Sequence, residues 1–320
     1  MAASFRDRAL RGSFLLSLVT AAGRRLGFAR SIMRGSTRRM FAEKTKARAF
    51  AGYAPSEGDV FVATFGKSGT NWMMQIAQQT AWHGRAEFDH IHDVVPWPDA
   101  PFPAAVGLDD PGPRTRAPTA LRVVKTHLDA EYVPYDERSV YLTVIRDPKE
   151  VLVSSYYFLG GMFGMLDFLS MEDWFELYLE PGSVSREWAL HTDSFWRWRD
   201  RPNVLVLTYG EMKRDLARQV DRVAQVMGVE LTSSARDAVL ERASFDWMYA
   251  HESQFAPPRP PFRREEDATR MVRAGETGRS GRDLTPEQQD AIDRRALEEL
   301  EELGSAFPYA RLFCGEDKSA

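Results

Sequence analysis

The fold is decided by the stretch Val60-Phe61-Val62-Ala63-Thr64-Phe65-Gly66-Lys67-Ser68-Gly69-Thr70-Asn71-Trp72. Its first part is an apolar run rich in β-branched and aromatic residues, which predicts a buried strand. A short polar loop with two glycines follows, and a helical pattern opens at Trp72. Such an arrangement forms an anion cradle, because backbone N–H groups and the helix dipole converge on one point. Lys67 adds a positive charge, so we expect a phosphate or sulfate group there.

The loop differs from a Walker A sequence in the position of its lysine. Walker A places the lysine after the second glycine and follows it with a Ser or Thr that holds Mg²⁺. Here Lys67 precedes Gly69, and Thr70 and Asn71 follow that glycine. Taken alone, this loop is equally consistent with a tight turn that carries a solvated lysine.

A second predicted strand, residues 121–128, ends in a lysine and a histidine. Ligands bind at the carboxyl edge of an open α/β sheet, which is where such a strand end would lie. The side chains of Lys125 and His127 are two positions apart, so an extended chain points them to the same side. Both are therefore candidates for one crevice.

A third predicted strand begins at residue 140 and stops at Arg146, where a helix starts at once. Asp147 suits the N-cap of that helix, Pro148 its first position and Glu150 the third residue of a capping box. Arg146 then lies at a helix mouth, where its guanidinium can bind phosphate. The alternative is an exposed arginine that is paired with Asp147.

Together, the three motifs resemble the cytosolic-type sulfotransferase family, which uses 3′-phosphoadenosine-5′-phosphosulfate (PAPS) as its donor. Further matches follow in the family's order at residues 208–213, 244–245 and 273–275. The resemblance covers residues 55–310, which is most of the chain. It implies a three-layer α/β/α fold with a central parallel sheet, the P-loop-like sulfotransferase fold, in a domain that spans residues 51–320.

The resemblance also implies a role for each matching residue. His127 would be the general base that takes the proton of the acceptor hydroxyl, and Lys67 and Lys125 would stabilise the sulfuryl group in transfer. The donor would be held by loop residues at its 5′-phosphosulfate, by aromatic rings at its adenine and by polar residues at its 3′-phosphate. These implied donor-binding residues are Lys67, Ser68, Gly69, Thr70, Asn71, Trp72, Arg146, Ser154, Tyr209, Phe245, Arg273, Ala274 and Gly275.

The implied reaction is direct in-line transfer from PAPS, with PAP as the product. A sulfuryl group in transfer carries less charge than a γ-phosphoryl group, so lysines and backbone dipoles can stabilise it, and we expect no metal requirement. Two alternatives stay open. One is a P-loop-type kinase that uses ATP and Mg²⁺, and the other is a non-catalytic protein that binds PAP.

The chain departs from the family pattern in its 3′-phosphate segment. Ala274 stands where the animal enzymes usually have a lysine, which removes one contact to that phosphate. Arg279 or Arg282 would be placed to compensate, and the spacing does not decide between them. The family's dimerisation motif is also degraded, with Gly281 at its lysine and Pro286 at its valine.

The acceptor pocket leaves weaker traces in the sequence. Trp97, Phe102 and Phe158 predict an aromatic, apolar wall, which favours a small hydrophobic phenol or alcohol as acceptor. The apolar stretch 160–165 contains three glycines and is interpreted as flexible. His90 and His92, with nearby aspartates, raise the idea of a metal site, but a solvated loop is the favoured interpretation because no further ligand cluster supports a metal.

The C-terminal part is expected to complete the donor site. A helix is predicted from Glu211 to Met227 with Gly228 as its stop, and Thr285 is predicted to cap a last helix that reaches Leu303. Residues 253–283 are rich in Pro, Arg and Gly, which indicates a loop. We interpret it as a lid over PAPS, and the alternative is an arginine-rich linker.

The first 50 residues differ from the rest in charge. Residues 1–48 hold 12 Lys and Arg against 2 Asp and Glu, a net charge of +10, whereas the whole chain is −4. A peripheral membrane contact, an organellar transit peptide, and extra helices or a loose basic arm on the domain all remain open. The single cysteine favours a reducing compartment, and we expect a cytoplasmic location and no nucleic-acid partner. No stretch has the ~18 consecutive apolar residues that a membrane span needs.

Overall fold

The computed structural model describes residues 27–101, 105–257 and 280–314. Phe102, Arg273, Ala274, Gly275 and Arg279, all named above, lie outside the described residues, as does most of the predicted lid. Four parallel strands form one sheet in the order β2-β1-β3-β4. These strands are β1 Asp59–Ala63, β2 Arg122–Thr126, β3 Val140–Ile145 and β4 Val204–Thr208.

Helices precede, connect and follow the strands. They are α1 Ala29–Met40, α2 Glu43–Arg48, α3 Thr70–Ala81, α4 Gly112–Arg116, α5 Pro148–Phe163, α6 Met171–Leu179, α7 Val184–Trp198, α8 Tyr209–Arg214, α9 Leu216–Val226, α10 Ser233–Arg242, α11 Phe245–Ala250, α12 Ser280–Asp283 and α13 Pro286–Glu302. Short 3₁₀ turns occur at Ile91–Asp93 and Glu252–Gln254, and a π turn at Ala310–Cys314.

The sheet lies between two helical layers, because both of its faces are apolar. Side chains alternate along a strand, so Val60 and Val62 pack in the core beneath α3, α9 and α10, while Phe61 and Ala63 face the opposite core. That second face is covered by α5, α6, α7 and α13. The predicted α/β/α arrangement with a central parallel sheet is confirmed.

All four strands end at the same edge of the sheet, because they are parallel. Ala63 pairs with Thr126 at the ends of β1 and β2, and Ile145 pairs with Thr208 at the ends of β3 and β4. The segments that follow the four strands therefore lie side by side. They carry Lys67 after β1, His127 after β2, Arg146 after β3 and Tyr209 after β4.

Two helix predictions around this edge are wrong in detail. The predicted helix from Glu211 to Met227 is two helices, α8 and α9, because Asp215 leaves helical geometry (φ −149°, ψ 79°) and caps α9 through the Arg218 N–H. Asp147 does cap α5, by accepting from the Lys149 N–H at 3.0 Å. Glu150, however, forms no capping box and instead accepts from the Ser280 N–H at 2.9 Å.

Other element ends agree with the sequence. Thr285 caps α13 in a capping box, and Gly228 follows α9 with a φ of +65°. The stretch that includes Gly160 and Gly161, interpreted as flexible, is the last part of α5, which ends at Gly164 with a φ of +68°. No helix in the described ranges is long and apolar enough to cross a membrane.

Candidate active site

A cavity of about 1470 Å³ opens at the carboxyl edge of the sheet. It brings together most of the residues that the sequence singled out. Those that line it are Lys67, Gly69, Thr70, Asn71, Trp72, Trp97, Lys125, His127, Arg146, Ser154, Phe158, Tyr209 and Phe245. The three motifs, which lie up to 80 residues apart in sequence, therefore share one site.

The loop between β1 and α3 has the shape of an anion cradle. Lys67 and Gly69 both have positive φ values, 68° and 98°, which turn the chain sharply into the first turn of α3. The first N–H groups of a helix have no partner within the helix, so those after Gly69 can bind an anion. The Lys67 ammonium lies 3.8 Å from the centre of the Phe158 ring, which also lines the cavity.

Ser68 differs from the other predicted loop residues, because it does not line the cavity. Its N–H donates to the Phe65 carbonyl at 3.1 Å, and its side chain is fully buried. Within the described ranges, its hydroxyl has no hydrogen-bond partner. Ser68 thus shapes the tight turn, and its contact with the donor, which the family resemblance implies, stays a prediction.

Arg146 is held between the loop and α5. One guanidinium nitrogen donates to the Lys67 carbonyl at 2.9 Å, and another contacts the Glu150 carboxylate at 3.3 Å. The group lies over the Tyr209 ring, 4.4 Å from its centre. The alternative of a pair with Asp147 is wrong, because Asp147 contacts the Lys149 ammonium instead. In the part of the chain that the structure describes, the buried Nε of Arg146 has no hydrogen-bond partner, so one donor remains for an anion.

Three aromatic residues line the cavity near the start of α3. The Trp72 indole N–H donates to the Ala243 carbonyl at 2.8 Å, and its ring meets Tyr209 edge-on at 5.6 Å. Phe245 is 41% exposed at the start of α11. Gly69 lies against the Tyr209 ring, since a Cβ added to it would come within 3.0 Å of that ring. These rings form an apolar recess beside the anion cradle, as a nucleobase site requires.

His127 carries its proton on a defined nitrogen. Nδ1 lies 2.8 Å from the Thr64 carbonyl oxygen, which can only accept, so Nδ1 is the protonated nitrogen. The lone pair is then on Nε2 of a residue that lines the cavity. Burial, followed by the charge of Lys125, lowers the pKa of His127 to about 3, so the imidazole is neutral at physiological pH.

Lys125 lies in a polar and aromatic niche beside His127. Its ammonium is 3.3 Å from the centre of the Trp97 ring and 3.4 Å from His92 Nε2. Burial lowers the pKa of Lys125 to about 7, although the charge of Asp99 opposes that shift. The Trp97 ring also meets the His127 ring edge-on at 5.5 Å. Trp97 therefore contacts the catalytic candidates as well as lining the pocket.

Asp99 is a site residue that the sequence reasoning missed. Its carboxylate accepts from the backbone N–H of His127 at 2.9 Å, and it lines the cavity. Burial raises its pKa, while the hydrogen bond from His127 acts in the opposite direction. The only signal in the sequence is its place in the short run Pro96-Trp97-Pro98-Asp99, two residues after the singled-out tryptophan.

The interpretation of His90 and His92 as part of a solvated loop is wrong, because both side chains are buried. His90 Nε2 faces the Ala256 carbonyl at 3.1 Å, and His92 Nδ1 faces the Val95 carbonyl at 3.3 Å. In the described ranges, no three His, Cys, Asp or Glu side chains are grouped so that they could hold a metal ion. His90 and His92 are therefore interpreted as buried structural residues whose ring nitrogens face backbone carbonyls.

Comparison with known families and proteins supports the interpretation of this cavity as a sulfotransferase site. Residues 57–304 match the profile of a family described as Sulfotransferase domain. The human protein Sulfotransferase 1C2 is 28% identical over 199 residues, which is 59% of this chain and 65% of that protein. Rat Sulfotransferase 1C2 is also 28% identical, over 73% of this chain and 80% of that protein.

Solved structures show a similar fold at low sequence identity. Retinol dehydratase in complex with retinol and PAP superposes with a TM-score of 0.64 at 18% identity, over 83% of this chain and 86% of that one. Mouse sulfotransferase SULT7A1 complexed with PAP gives a TM-score of 0.60 at 20% identity, over 82% of this chain and 91% of that one.

Proposed function

This chain belongs to the sulfotransferase family, and on that basis we propose that it transfers the sulfuryl group of PAPS to the hydroxyl of an apolar alcohol or phenol. In this proposal the donor lies along the start of α3, with its 5′ end at Lys67 and its adenine beside Trp72 and Tyr209. The acceptor occupies the half of the cavity that Trp97 and Phe158 line.

The observation that carries the proposal is a neutral imidazole in the same cavity as an anion cradle. The bond from His127 Nδ1 to Thr64 leaves Nε2 as a proton acceptor. As the acceptor oxygen attacks sulfur, its proton moves to His127 Nε2. The bond between sulfur and the bridging oxygen breaks, and PAP leaves with the electron pair. Lys67, Lys125 and the helix N-terminus supply positive charge where the departing and transferring oxygens become more negative.

The donor half of the cavity fits a doubly anionic nucleotide. Lys67 and Arg146 supply full charges, and the Nε of Arg146 is a buried donor with no hydrogen-bond partner among the described residues. Ser154 lines the same cavity two turns into α5, so its hydroxyl can join Arg146 on a 3′-phosphate. Arg273, Ala274 and Gly275 stay proposals from the family resemblance.

The two ends of the predicted lid meet this donor half. Phe255 and Pro257, near the start of this segment, line the cavity, and the Ser280 N–H, near its end, donates to Glu150, the residue that contacts Arg146. This placement supports a role of residues 253–283 in covering the bound donor.

The general-base role predicts the behaviour of a single variant. His127→Ala should lower turnover by about 10²–10⁴-fold, because the acceptor proton then has no positioned base. Binding of PAP should change little, since the proposal gives His127 no contact with the nucleotide. Turnover is measured with labelled PAPS, and PAP binding by calorimetry. His251→Ala, at a histidine that does not line the cavity, is the control. A His127→Ala enzyme with near-normal turnover would remove the base assignment.

Donor choice separates the proposal from its two rivals. A P-loop-type kinase would transfer phosphate from ATP and would stop when EDTA removes Mg²⁺. The proposed enzyme uses PAPS and keeps its activity in EDTA, since we expect no metal requirement. A non-catalytic relative would bind PAP and transfer nothing from either donor. Incubation with each labelled donor, with and without EDTA, distinguishes the three.

The cellular location of the protein and its contact with membranes are proposals that rest on the sequence alone. The single cysteine supports a cytoplasmic location, and the +10 charge of residues 1–48 supports peripheral contact with anionic membranes.

A further inference from the structure

Residues 29–48 line the active-site cavity although they precede the region that matches the family. The match begins at residue 57. Both α1 and α2 nevertheless contribute to the cavity wall, α1 with residues between Ser31 and Met40. This part of the wall therefore lies outside the residues that match the family profile.

Helix α1 is held in place by a buried side chain and by ion pairs. Met33 is 2% exposed and packs in the core with α5 and α6. Arg30 pairs with Asp173 on α6, and Arg34 pairs with Glu180 just after it, with an Nε–Oε2 distance of 2.9 Å. These contacts fix α1 as a packed element of the described structure.

Helix α2 is held by a buried charge cluster next to the catalytic strand end. The Lys46 ammonium contacts Asp129 at 3.1 Å and also contacts Glu187 on α7. Asp129 is two residues after His127, and all three members of the cluster line the cavity. The position of α2 is thus tied directly to the strand end that carries the base.

The end of α1 lies close to the donor loop. The Phe41 ring stacks on the Phe65 ring, with centres 6.2 Å apart and planes 9° apart. Phe65 is two residues before Lys67. The apolar surface of Ile32, Met40 and Phe41 lines the same cavity as Phe158, Leu159 and Met162 of α5. Apolar side chains therefore continue along the cavity wall from Phe158 to α1, beside polar residues such as Arg39 and Lys44 that line the same cavity.

The cavity has room for more than one ligand. Ligand pockets usually measure about 300–1,000 Å³, and this cavity of about 1470 Å³ includes both the donor residues and the surface of α1. An acceptor that extends from the reaction centre to α1 would contact that surface.

We propose that α1 forms the outer wall of the acceptor chamber and selects long or polycyclic apolar alcohols over small phenols. This inference takes the reaction from the proposed function, but it concerns only the acceptor. It replaces the sequence-based expectation of a small acceptor with that of a larger one, because α1 lies outside the motifs on which that expectation was based.

The test is to fill the chamber from α1. Gly35 lines the cavity, and a Cβ added to it would have no heavy atom within 4 Å. Gly35→Phe therefore adds an aromatic ring to the cavity wall, and its Cβ makes no clash. The matched control is Arg38→Phe, on an exposed residue of the same helix that does not line this cavity. The acceptors are a sterol and 1-decanol as large alcohols and 4-nitrophenol as a small one.

Gly35→Phe should raise the KM for both large alcohols about tenfold, which corresponds to about 1.4 kcal/mol. The KM for 4-nitrophenol and the Kd for PAP should change less than twofold, and Arg38→Phe should change none of these values. An equal effect on large and small acceptors, or no effect on the large ones, overturns the inference.

Binding distinguishes a failed inference from a failed reaction. If the wild-type enzyme transfers sulfate to neither the alcohols nor 4-nitrophenol, the proposed function fails, whereas transfer to 4-nitrophenol alone overturns only the inference. Calorimetry of 1-decanol with the PAP-loaded protein then still tests whether α1 forms a wall of the acceptor chamber. Tenfold weaker binding of 1-decanol to Gly35→Phe than to the wild-type protein supports the inference about α1. Unchanged binding in this variant, or no binding to the wild-type protein, overturns it.

Discussion

Lys125 and His127 lie two residues apart on one strand end, and burial lowers the pKa of both side chains. The two shifts act differently on function. A pKa of about 3 keeps His127 neutral but makes it a weak proton acceptor, so its role as base depends on its position beside the acceptor hydroxyl. Lys125, with a pKa of about 7, loses its charge just above neutrality. The charge that stabilises a sulfuryl group is therefore the pH-sensitive part of the proposed mechanism.

The value of kcat/KM for PAPS should fall as pH rises through about 7, because the Lys125 ammonium becomes neutral in the free enzyme. No acid limb should appear near pH 6.5, because His127 stays neutral down to about pH 3. Steady-state rates between pH 5 and 9 measure this profile. Lys125→Met should lower the rate and remove the alkaline limb, with Lys44→Met on α2 as control. An acid limb near 6.5 that disappears in His127→Gln would contradict the expected pKa of His127.

At the level of elements, the loop before α3 depends on one glycine. Gly69 combines a φ of 98° with close contact to the Tyr209 ring, so backbone geometry and packing both require the absence of a side chain. Gly66, in the same loop, has neither constraint.

Gly69→Ala should lower the free energy of unfolding by about 1–2 kcal/mol, because an L-residue is strained in the left-handed region. It should also weaken PAP binding about tenfold, since the Tyr209 ring must shift from the recess. Gly66→Ala should change neither quantity. Urea unfolding and PAP calorimetry on both variants test this. Equal effects of the two substitutions would show that the geometry at Gly69 is not what the cradle requires.

At the level of the whole molecule, the cluster of Lys46, Asp129 and Glu187 joins three separate parts of the chain. Burial acts to lower the pKa of Lys46, but the hydrogen bonds and charges of Glu187 and Asp129 outweigh it and raise that pKa. Burial raises the pKa of Glu187 despite the lysine. The Lys46 ammonium is thus the shared counter-ion of two carboxylates, those of Asp129 and Glu187, at a site with little access to water.

Lys46→Met should lower the free energy of unfolding at pH 7 by about 3–5 kcal/mol, because two buried carboxylates lose their counter-ion. Without the lysine, the folded-state pKa of Glu187, which burial already raises, rises further above its unfolded value. The loss of stability should therefore grow as pH rises through those two values and shrink at acid pH. Urea unfolding at pH 7 and pH 4.5 measures it, with exposed Lys44→Met as control. An equal loss at both pH values would mean that packing, and not charge, explains the effect.

The sequence alone determined the sheet edge and the residues that gather there. Strand patterns, a loop with two glycines and a cap at Asp147 depend on near neighbours in the chain, so they can be recognised before any folding is known. Parallel strand ends must then meet at one edge, which is why Lys67, His127 and Arg146 line one cavity. The helix break at Asp215 was missed, because a single capping aspartate gives little signal inside an otherwise helical pattern.

Only the tertiary structure decided which polar groups support that site and how far it extends. Asp99 reaches His127 from 28 residues away, and Glu150 joins Arg146 to the Ser280 N–H across 130 residues. Phe41 and Lys46 hold α1 and α2 against the cavity through Phe65 and Asp129, which lie 24 and 83 residues further along the chain. Such contacts follow from how layers pack around a shared core, and local propensity carries no information about them.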